Sequence, residues 1–132
     1  MTPESQRYLE KAGQCLSNAH ANLGIGLGND AGRHAYLAAF HAAQALIFER
    51  AGEIAKTHRG VQSEFTRLAK DEQNIDKGFP AFLTQAYNLK AVADYETGPD
   101  SVVPLARVAS AIETAGRVID CIGNLLTPDV SF

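Results

Sequence analysis

The sequence has little cysteine and no sign of a metal-binding motif. Its two cysteines, Cys15 and Cys121, lie far apart, and neither belongs to a Cys-x-x-Cys or Cys/His ligand spacing. This pattern predicts reduced, partly buried thiols, with a single disulfide between the two end helices as the alternative. The four histidines are scattered, and no carboxylate cluster accompanies them. The sequence therefore predicts neither a metal site nor a cofactor.

Long apolar runs and an excess of positive charge are also lacking. No run approaches the roughly 18 to 20 apolar residues that a membrane-spanning helix needs, and no basic segment precedes an apolar one. We therefore expect a soluble cytoplasmic protein without a membrane partner. The formal net charge of -3 at pH 7 disfavours a protein that coats nucleic acid, so any contact with RNA must come from a local patch.

What the sequence does contain is helical periodicity. No segment alternates apolar and polar residues for long enough to predict a strand. At 132 residues and 45% apolar content, the chain suits one domain that buries its own core. The predicted fold is all-α, a single compact bundle of about five helices over residues 1–132.

Capping residues predict where these helices begin and end. The first predicted helix covers about 3–23 with a cap at Thr2, and the second covers about 30–51, capped by Asn29 or Asp30 and ended by Gly52. The third covers about 58–69 with a cap at Thr57, and the fourth ends near residue 93. The last is capped by Asp100 or Ser101 and runs to about residue 126. Pro104 falls in the first turn of the last helix. The glycines in residues 24–28 predict a hinge between the first two helices, since no strand precedes them and no Gly-Lys-Ser/Thr ending suggests a phosphate cradle.

An alanine-rich stretch, residues 36–46 (YLAAFHAAQAL), predicts a helix that a neighbouring helix can approach closely. Tyr36 and Phe40 recur at helical spacing on it. His41 has little polar company among the alanines and suits a buried or interface histidine, with substrate contact as the alternative. The hydroxyl of Tyr36 can reach an RNA backbone, and ring packing with an anchoring hydrogen bond accounts for it equally well.

Residues 56–60 (KTHRG) place His58 and Arg59 in the first turn of a predicted helix. Exposed backbone amides at a helix N-terminus attract anions, and Lys56 adds a positive charge. A phosphate or an acidic partner therefore fits this turn. In the structural alternative, His58 locks the turn through a hydrogen bond, with Asp94 as a candidate acceptor.

Together these two segments resemble the HEPN superfamily of small all-helical nucleotide-binding and ribonuclease-related domains, in its compact prokaryotic branch. The resemblance extends from the first helix to the last. It implies a homodimer in a toxin–antitoxin or related defence module, with RNA or a nucleotide as ligand at a dimer cleft and a minimal nucleotidyltransferase as partner protein. The alternatives are a non-catalytic binding module and a helical adaptor whose alanine-rich second helix forms the dimer face.

The ribonuclease signature of the wider superfamily, an Arg followed after four to six residues by a His, is absent. Seven residues separate Arg33 from His41 and Arg50 from His58, and no histidine follows His58. Metal-free RNA cleavage by the 2′-hydroxyl needs a proton acceptor, a proton donor and a cation near the phosphate. The missing late histidine therefore weakens a catalytic interpretation and favours the binding module.

Residues 90–95 (KAVADY) occupy the region where the resembled branch has a basic residue followed by Ala-Asp-Tyr. Lys90 stands in place of the usual Arg and lacks its planar two-bond grip on phosphate. If the domain is catalytic, the resemblance implies a metal-independent endoribonuclease in which His58 and Lys90 serve a phosphate and Asp94 or Tyr95 positions them. An ion pair at the helix end between Lys90 and Asp94 is the alternative. The candidate substrate-binding residues are Lys56, Arg59, Tyr36 and His41.

Overall fold

The structure, a computed structural model, describes residues 1–98 and 101–127. These residues form five α-helices without a strand: α1 Pro3–Gly24, α2 Gly28–Ala51, α3 His58–Asp71, α4 Phe79–Tyr95 and α5 Leu105–Leu126. The prediction of an all-α bundle of about five helices is confirmed. In the described part of the chain, no helix combines the length and apolar character that crossing a membrane requires.

Local capping chemistry explains three of the helix ends. The Thr2 hydroxyl accepts a hydrogen bond from the Ser5 backbone N–H at 3.2 Å and begins α1. The Thr57 hydroxyl accepts one from the Gly60 N–H at 3.0 Å and begins α3. Gly52 ends α2 at φ 71°, a left-handed conformation that favours glycine. These three predictions from the sequence are confirmed.

The predicted cap of α2 is wrong. Leu27 precedes this helix and provides no side-chain cap, and Asp30 lies in the first turn. The side chain of Asn29 instead bridges to the segment before α5, donating to the Ser101 carbonyl at 2.7 Å and accepting from the Val103 N–H at 3.2 Å. The predicted glycine hinge is a tight turn between α1 and α2, in which Gly26 adopts φ 80°.

The start of α5 also differs from the prediction. The helix begins at Leu105, with Pro104 as the residue before it rather than inside its first turn. Proline disfavours a helical conformation in the residue that precedes it, so the chain before Pro104 does not join the helix. Ser101 is therefore not the cap, and Asp100, the other predicted cap, lies outside the described residues.

Helix α2 lies at the centre of the bundle and contacts each of the other four helices. Its alanines let these neighbours approach, because a methyl side chain is small enough for two helix backbones to pack closely. We call the buried alanines of α1 and α2 the alanine seam: Ala12, Ala19, Ala31, Ala35, Ala38, Ala39, Ala42, Ala43 and Ala45. These residues are covered within one chain, so the alternative of a helical adaptor cannot use them as its dimer face.

The two cysteines carry free thiols. Cys15 is buried on α1, whereas Cys121 is half-buried on α5 and donates to the Asn74 carbonyl at 3.2 Å. The disulfide considered between the end helices is therefore not formed.

Candidate functional site

His58, the first residue of α3, lies at the junction of three helices. The Thr57 cap fixes the start of α3 and thereby directs the half-buried imidazole toward α2 and α4. Its Nδ1 lies 2.9 Å from the hydroxyl oxygen of Tyr36 on α2. Its ring stacks on Tyr87 of α4, with the ring centroids 3.9 Å apart and the planes inclined by 14°. One hydrogen bond and one stacking contact therefore hold the histidine in place.

Aromatic packing around Tyr36 supports the position of His58. Tyr36 is only 2% exposed, and its ring meets Tyr87 edge-on with the ring centroids 5.5 Å apart. The ring of Phe40 lies 5.6 Å away, tilted by 38°. Edge-on contact sets the positive edge of one ring against the negative face of the other. The phenol of Tyr36 thus has a rigid base from which to reach His58.

Three charged side chains extend the site along α4 and α2. Lys90 lies one turn beyond Tyr87, and its Nζ donates to the Asp94 carboxylate at 2.7 Å. The guanidinium of Arg33 donates to the other oxygen of Asp94 at 3.0 Å. Asp94 therefore holds two cations side by side, close to the aromatic rings. We call Arg33, Tyr36, His58, Tyr87, Lys90 and Asp94 the His58 cluster.

The environment sets the protonation of these groups. Burial, with a contribution from the positive charge of Lys90, lowers the pKa of His58 below its ordinary value. Burial raises the pKa of Tyr36 well above its ordinary value, so its phenol stays neutral. The hydrogen bond with Lys90 lowers the pKa of Asp94 and raises the pKa of Lys90. At neutral pH the cluster therefore contains a neutral histidine beside a charged triad.

The structure brings together four residues that the sequence singled out: Tyr36, His58, Lys90 and Asp94. The expected hydrogen bond from His58 to Asp94 is wrong, because His58 bonds to Tyr36 and Asp94 bonds to the two cations. Tyr95, at the end of α4, is 74% exposed, and its ring centroid lies 5.5 Å from the Lys90 ammonium. Its ring thus borders the cluster without being packed into it.

The remaining candidates lie around this centre or apart from it. Lys56 is exposed in the connection before α3, and Arg59 is exposed on α3 itself. His41 is half-buried, and its Nδ1 lies 2.7 Å from the Gln44 side-chain oxygen, while the Gln44 amide donates to the Ala55 carbonyl at 2.7 Å. Burial lowers the pKa of His41. These contacts tie His41 to the packing of the α2–α3 connection.

Two members of the cluster, Arg33 and Tyr87, were missed by sequence reasoning. Helical spacing carries a signal for each, because residues three apart share a helix face. Arg33 precedes Tyr36 by three positions, and Tyr87 precedes Lys90 by three. Either spacing would have placed the missed residue beside one already selected.

Residues that could hold a metal ion do not gather in groups of three or more within the described part of the chain. The chemistry available at the cluster itself is proton transfer by an imidazole and binding of an anion by two cations.

Comparison with known proteins agrees with the fold. A protein of Methanocaldococcus jannaschii that bears the name "putative toxin" is 35% identical over 94 residues, which cover 71% of this chain and 69% of that protein. The family model of the HEPN domain matches residues 5–126, a range that contains all five helices except the two outermost residues of α1. The chain therefore belongs to the HEPN domain family.

Proposed function

We propose that the protein is the toxin of a toxin–antitoxin or related defence module and acts as a metal-independent endoribonuclease at the His58 cluster. One observation carries the proposal: a half-buried histidine is held beside two cations on the same surface. Membership of the HEPN domain family and the printed name of the archaeal relative support the toxin role.

Substrate binding falls to the two cations. Lys90 supplies a compact charge, and Arg33 supplies the planar guanidinium that residues 90–95 lack. Asp94 positions both cations and keeps them from pairing elsewhere. A phosphodiester that approaches Lys90 and Arg33 therefore meets positive charge that is already oriented, beside the His58 ring.

Proton transfer falls to His58. When His58 donates its Nδ1–H to the Tyr36 oxygen, Nε2 has a free lone pair and accepts the proton of the ribose 2′-hydroxyl. The 2′ oxygen then forms a bond to phosphorus, and the bond from phosphorus to the 5′ oxygen breaks. That oxygen takes a proton from solvent, which leaves a 2′,3′-cyclic phosphate and a 5′-hydroxyl. Tyr36 acts here as a positioning residue, since its hydrogen bond holds the imidazole in place. The phenol can donate to Nδ1 or accept from it, and this step uses the tautomer in which it accepts.

A second candidate function is a non-catalytic module that binds RNA, a nucleotide or a protein partner. The observation that favours it is that the polar groups of the cluster already pair with one another: Asp94 accepts hydrogen bonds from both cations, and Tyr36 is hydrogen-bonded to His58. Groups paired in this way need no substrate to be stable. Under either candidate, the family resemblance suggests a homodimer in the cytoplasm and a minimal nucleotidyltransferase as partner protein.

The test is cleavage of short single-stranded and hairpin RNAs in EDTA, by the purified protein and by the variants His58→Ala and Asp94→Ala. General-base catalysis contributes about 10²- to 10⁴-fold, so His58→Ala should lose at least about 100-fold of the rate while keeping its helical circular dichroism. His20→Ala, which removes an exposed histidine of α1, is the matched control and should cleave at the wild-type rate.

Two results would argue against the ribonuclease. Equal rates for wild type and folded His58→Ala would remove His58 from the chemistry. Intact RNA after long incubation at high protein concentration would leave the binding module, which a gel-shift measurement with the same RNAs then tests.

A further inference from the structure

A groove between α3 and α4 begins at His58 and runs away from the charged triad. It is open, has a volume of about 450 Å³, and is lined by His58, Arg59, Gln62, Ser63, Thr66 and Thr84. Of these, only His58 also belongs to the His58 cluster. The imidazole therefore lies at the boundary between two surfaces, with Lys90 and Arg33 on one side and the groove on the other.

The groove has a regular origin in the sequence. Arg59, Gln62, Ser63 and Thr66 occupy positions i, i+3, i+4 and i+7 of α3, which lie on one face of a helix. The neighbouring charged residues of α3, half-buried Glu64 and exposed Arg67, pair with each other at 2.7 Å. Neither of them lines the groove, so Arg59 is the charged side chain of the groove-lining face.

The lining chemistry matches an anionic ligand. Among the described residues that line the groove there is one guanidinium, one imidazole, one amide and three hydroxyls, and none is acidic. That composition is distinctive in a chain whose formal net charge is -3. The Gln62 amide donates to the Pro80 carbonyl at 2.8 Å and the Thr66 hydroxyl donates to the Gln62 carbonyl at 2.7 Å. A phosphate near Arg59 therefore meets the guanidinium and the hydroxyls of the remaining lining residues, Ser63 and Thr84, and no carboxylate of the lining. Hydroxyls commonly contact phosphate and sugar.

We infer that the α3–α4 groove is a second backbone-binding stretch, so that the ligand of this site is a single RNA strand lying across His58. Phosphates on one side of the strand contact Lys90 and Arg33, and a phosphate on the other side contacts Arg59. This inference rests on the proposed action on RNA, and it adds that the site reads several successive nucleotides of an extended strand rather than one nucleotide. Recognition through phosphates carries no base preference.

The experiment is fluorescence anisotropy with 2′-O-methyl oligonucleotides, which cannot be cleaved by 2′-hydroxyl attack. The octamer is chosen to reach both surfaces, and the dinucleotide has one phosphate, which under this proposal binds on the Lys90 side. Each is titrated at several salt concentrations against wild type, Arg59→Gln and Lys90→Met. Arg67→Gln is the matched control, because it removes an arginine of the same helix that lies outside the groove lining.

For the octamer, Arg59→Gln should reduce the slope of log affinity against log salt by about 0.7, the value for one phosphate contact on a single strand, and Arg67→Gln should not. The dinucleotide should bind Arg59→Gln as well as it binds wild type, and it should bind Lys90→Met more weakly. Circular dichroism confirms the fold of each variant.

The failures of the two proposals differ. Equal octamer slopes for Arg59→Gln and Arg67→Gln, with weaker binding to Lys90→Met, would overturn the groove and leave the proposed function standing. If Arg59→Gln lowers the octamer affinity and Lys90→Met does not, the proposal that the strand crosses His58 is overturned, and the charged triad plays no part in RNA binding. Failure of wild type to bind the octamer would overturn both.

Discussion

The alanine seam and the His58 cluster share helix α2 but are stabilised by opposite means. In the seam, methyl groups let helices approach closely, and the side chains are covered on all sides. In the cluster, large rings and charges meet at a half-exposed surface, where hydrogen bonds and stacking set the geometry. The comparison teaches that the seam supplies stability through buried packing, whereas the cluster orients charged and aromatic side chains at the surface at little energetic gain.

The largest effect should come from overfilling the seam. Ala42 is fully buried, so Ala42→Leu must push neighbouring side chains off their rotamers, at a cost of about 1 to 3 kcal/mol in the free energy of unfolding. Urea denaturation measures it. Ala109→Leu, at an exposed position of α5, is the control and should stay within about 0.5 kcal/mol of wild type. An unchanged midpoint for Ala42→Leu would show that the seam is loosely packed.

A smaller, pH-dependent effect should come from the polar end of the seam, where α1 begins against α2. The Thr2 N–H and hydroxyl donate to the Glu49 carboxylate at 2.9 Å and 3.0 Å, and the backbone hydrogen bond is the main reason that the pKa of Glu49 falls to about 2. A carboxylate whose pKa is lowered by folding adds stability above its ordinary pKa. That stability is lost as the pH falls from about 4.5 toward 2.

The variant Glu49→Gln should therefore be less stable than wild type by about 1 kcal/mol at pH 7, since the amide oxygen still accepts the Thr2 bonds without a charge. The difference should shrink steadily below pH 4.5. Urea denaturation between pH 3 and pH 7 checks this, with Glu113→Gln on exposed α5 surface as the control. A difference that is constant with pH would show that the charge of Glu49 plays no part.

A substitution in the cluster should have the smallest effect on stability and a clear effect on the pKa of His58. Burial and the charge of Lys90 lower the pKa of His58, so Lys90→Met should raise that pKa. NMR titration of the histidine ring signals, assigned with His58→Gln, measures it, and Lys70→Met at the far end of α3 should leave it unchanged.

The sign for stability follows from the same linkage. A histidine whose pKa is lowered by folding binds its proton more readily in the unfolded state, so stability declines as the pH falls below about 6.5. Lys90→Met should make this decline shallower. Because Lys90 and Asp94 form a partly exposed ion pair, Lys90→Met should lower the free energy of unfolding at pH 7 by less than about 1 kcal/mol. If it lowers the free energy of unfolding as much as Ala42→Leu does, the contrast between seam and cluster is wrong.

The sequence by itself determined the helices and most of their ends. Thr2, Thr57 and Gly52 act through hydrogen bonds or backbone angles within four residues of their own position, and such short-range rules apply before any helix packs on another. The dense alanines of residues 36–46 likewise predicted close helix packing. They did not predict with what, and the covering helices turned out to belong to the same chain.

Only the tertiary structure decided the long-range partners of these polar side chains. Asn29 reaches the Ser101 carbonyl, 72 residues away, instead of capping its own helix, and Arg33 reaches Asp94, 61 residues away. His58 takes Tyr36 and Tyr87 as neighbours rather than Asp94. Spacing along the chain defines which side chains share one helix face, but the meeting of two faces depends on how the helices cross. That crossing is set by the packing of the whole bundle.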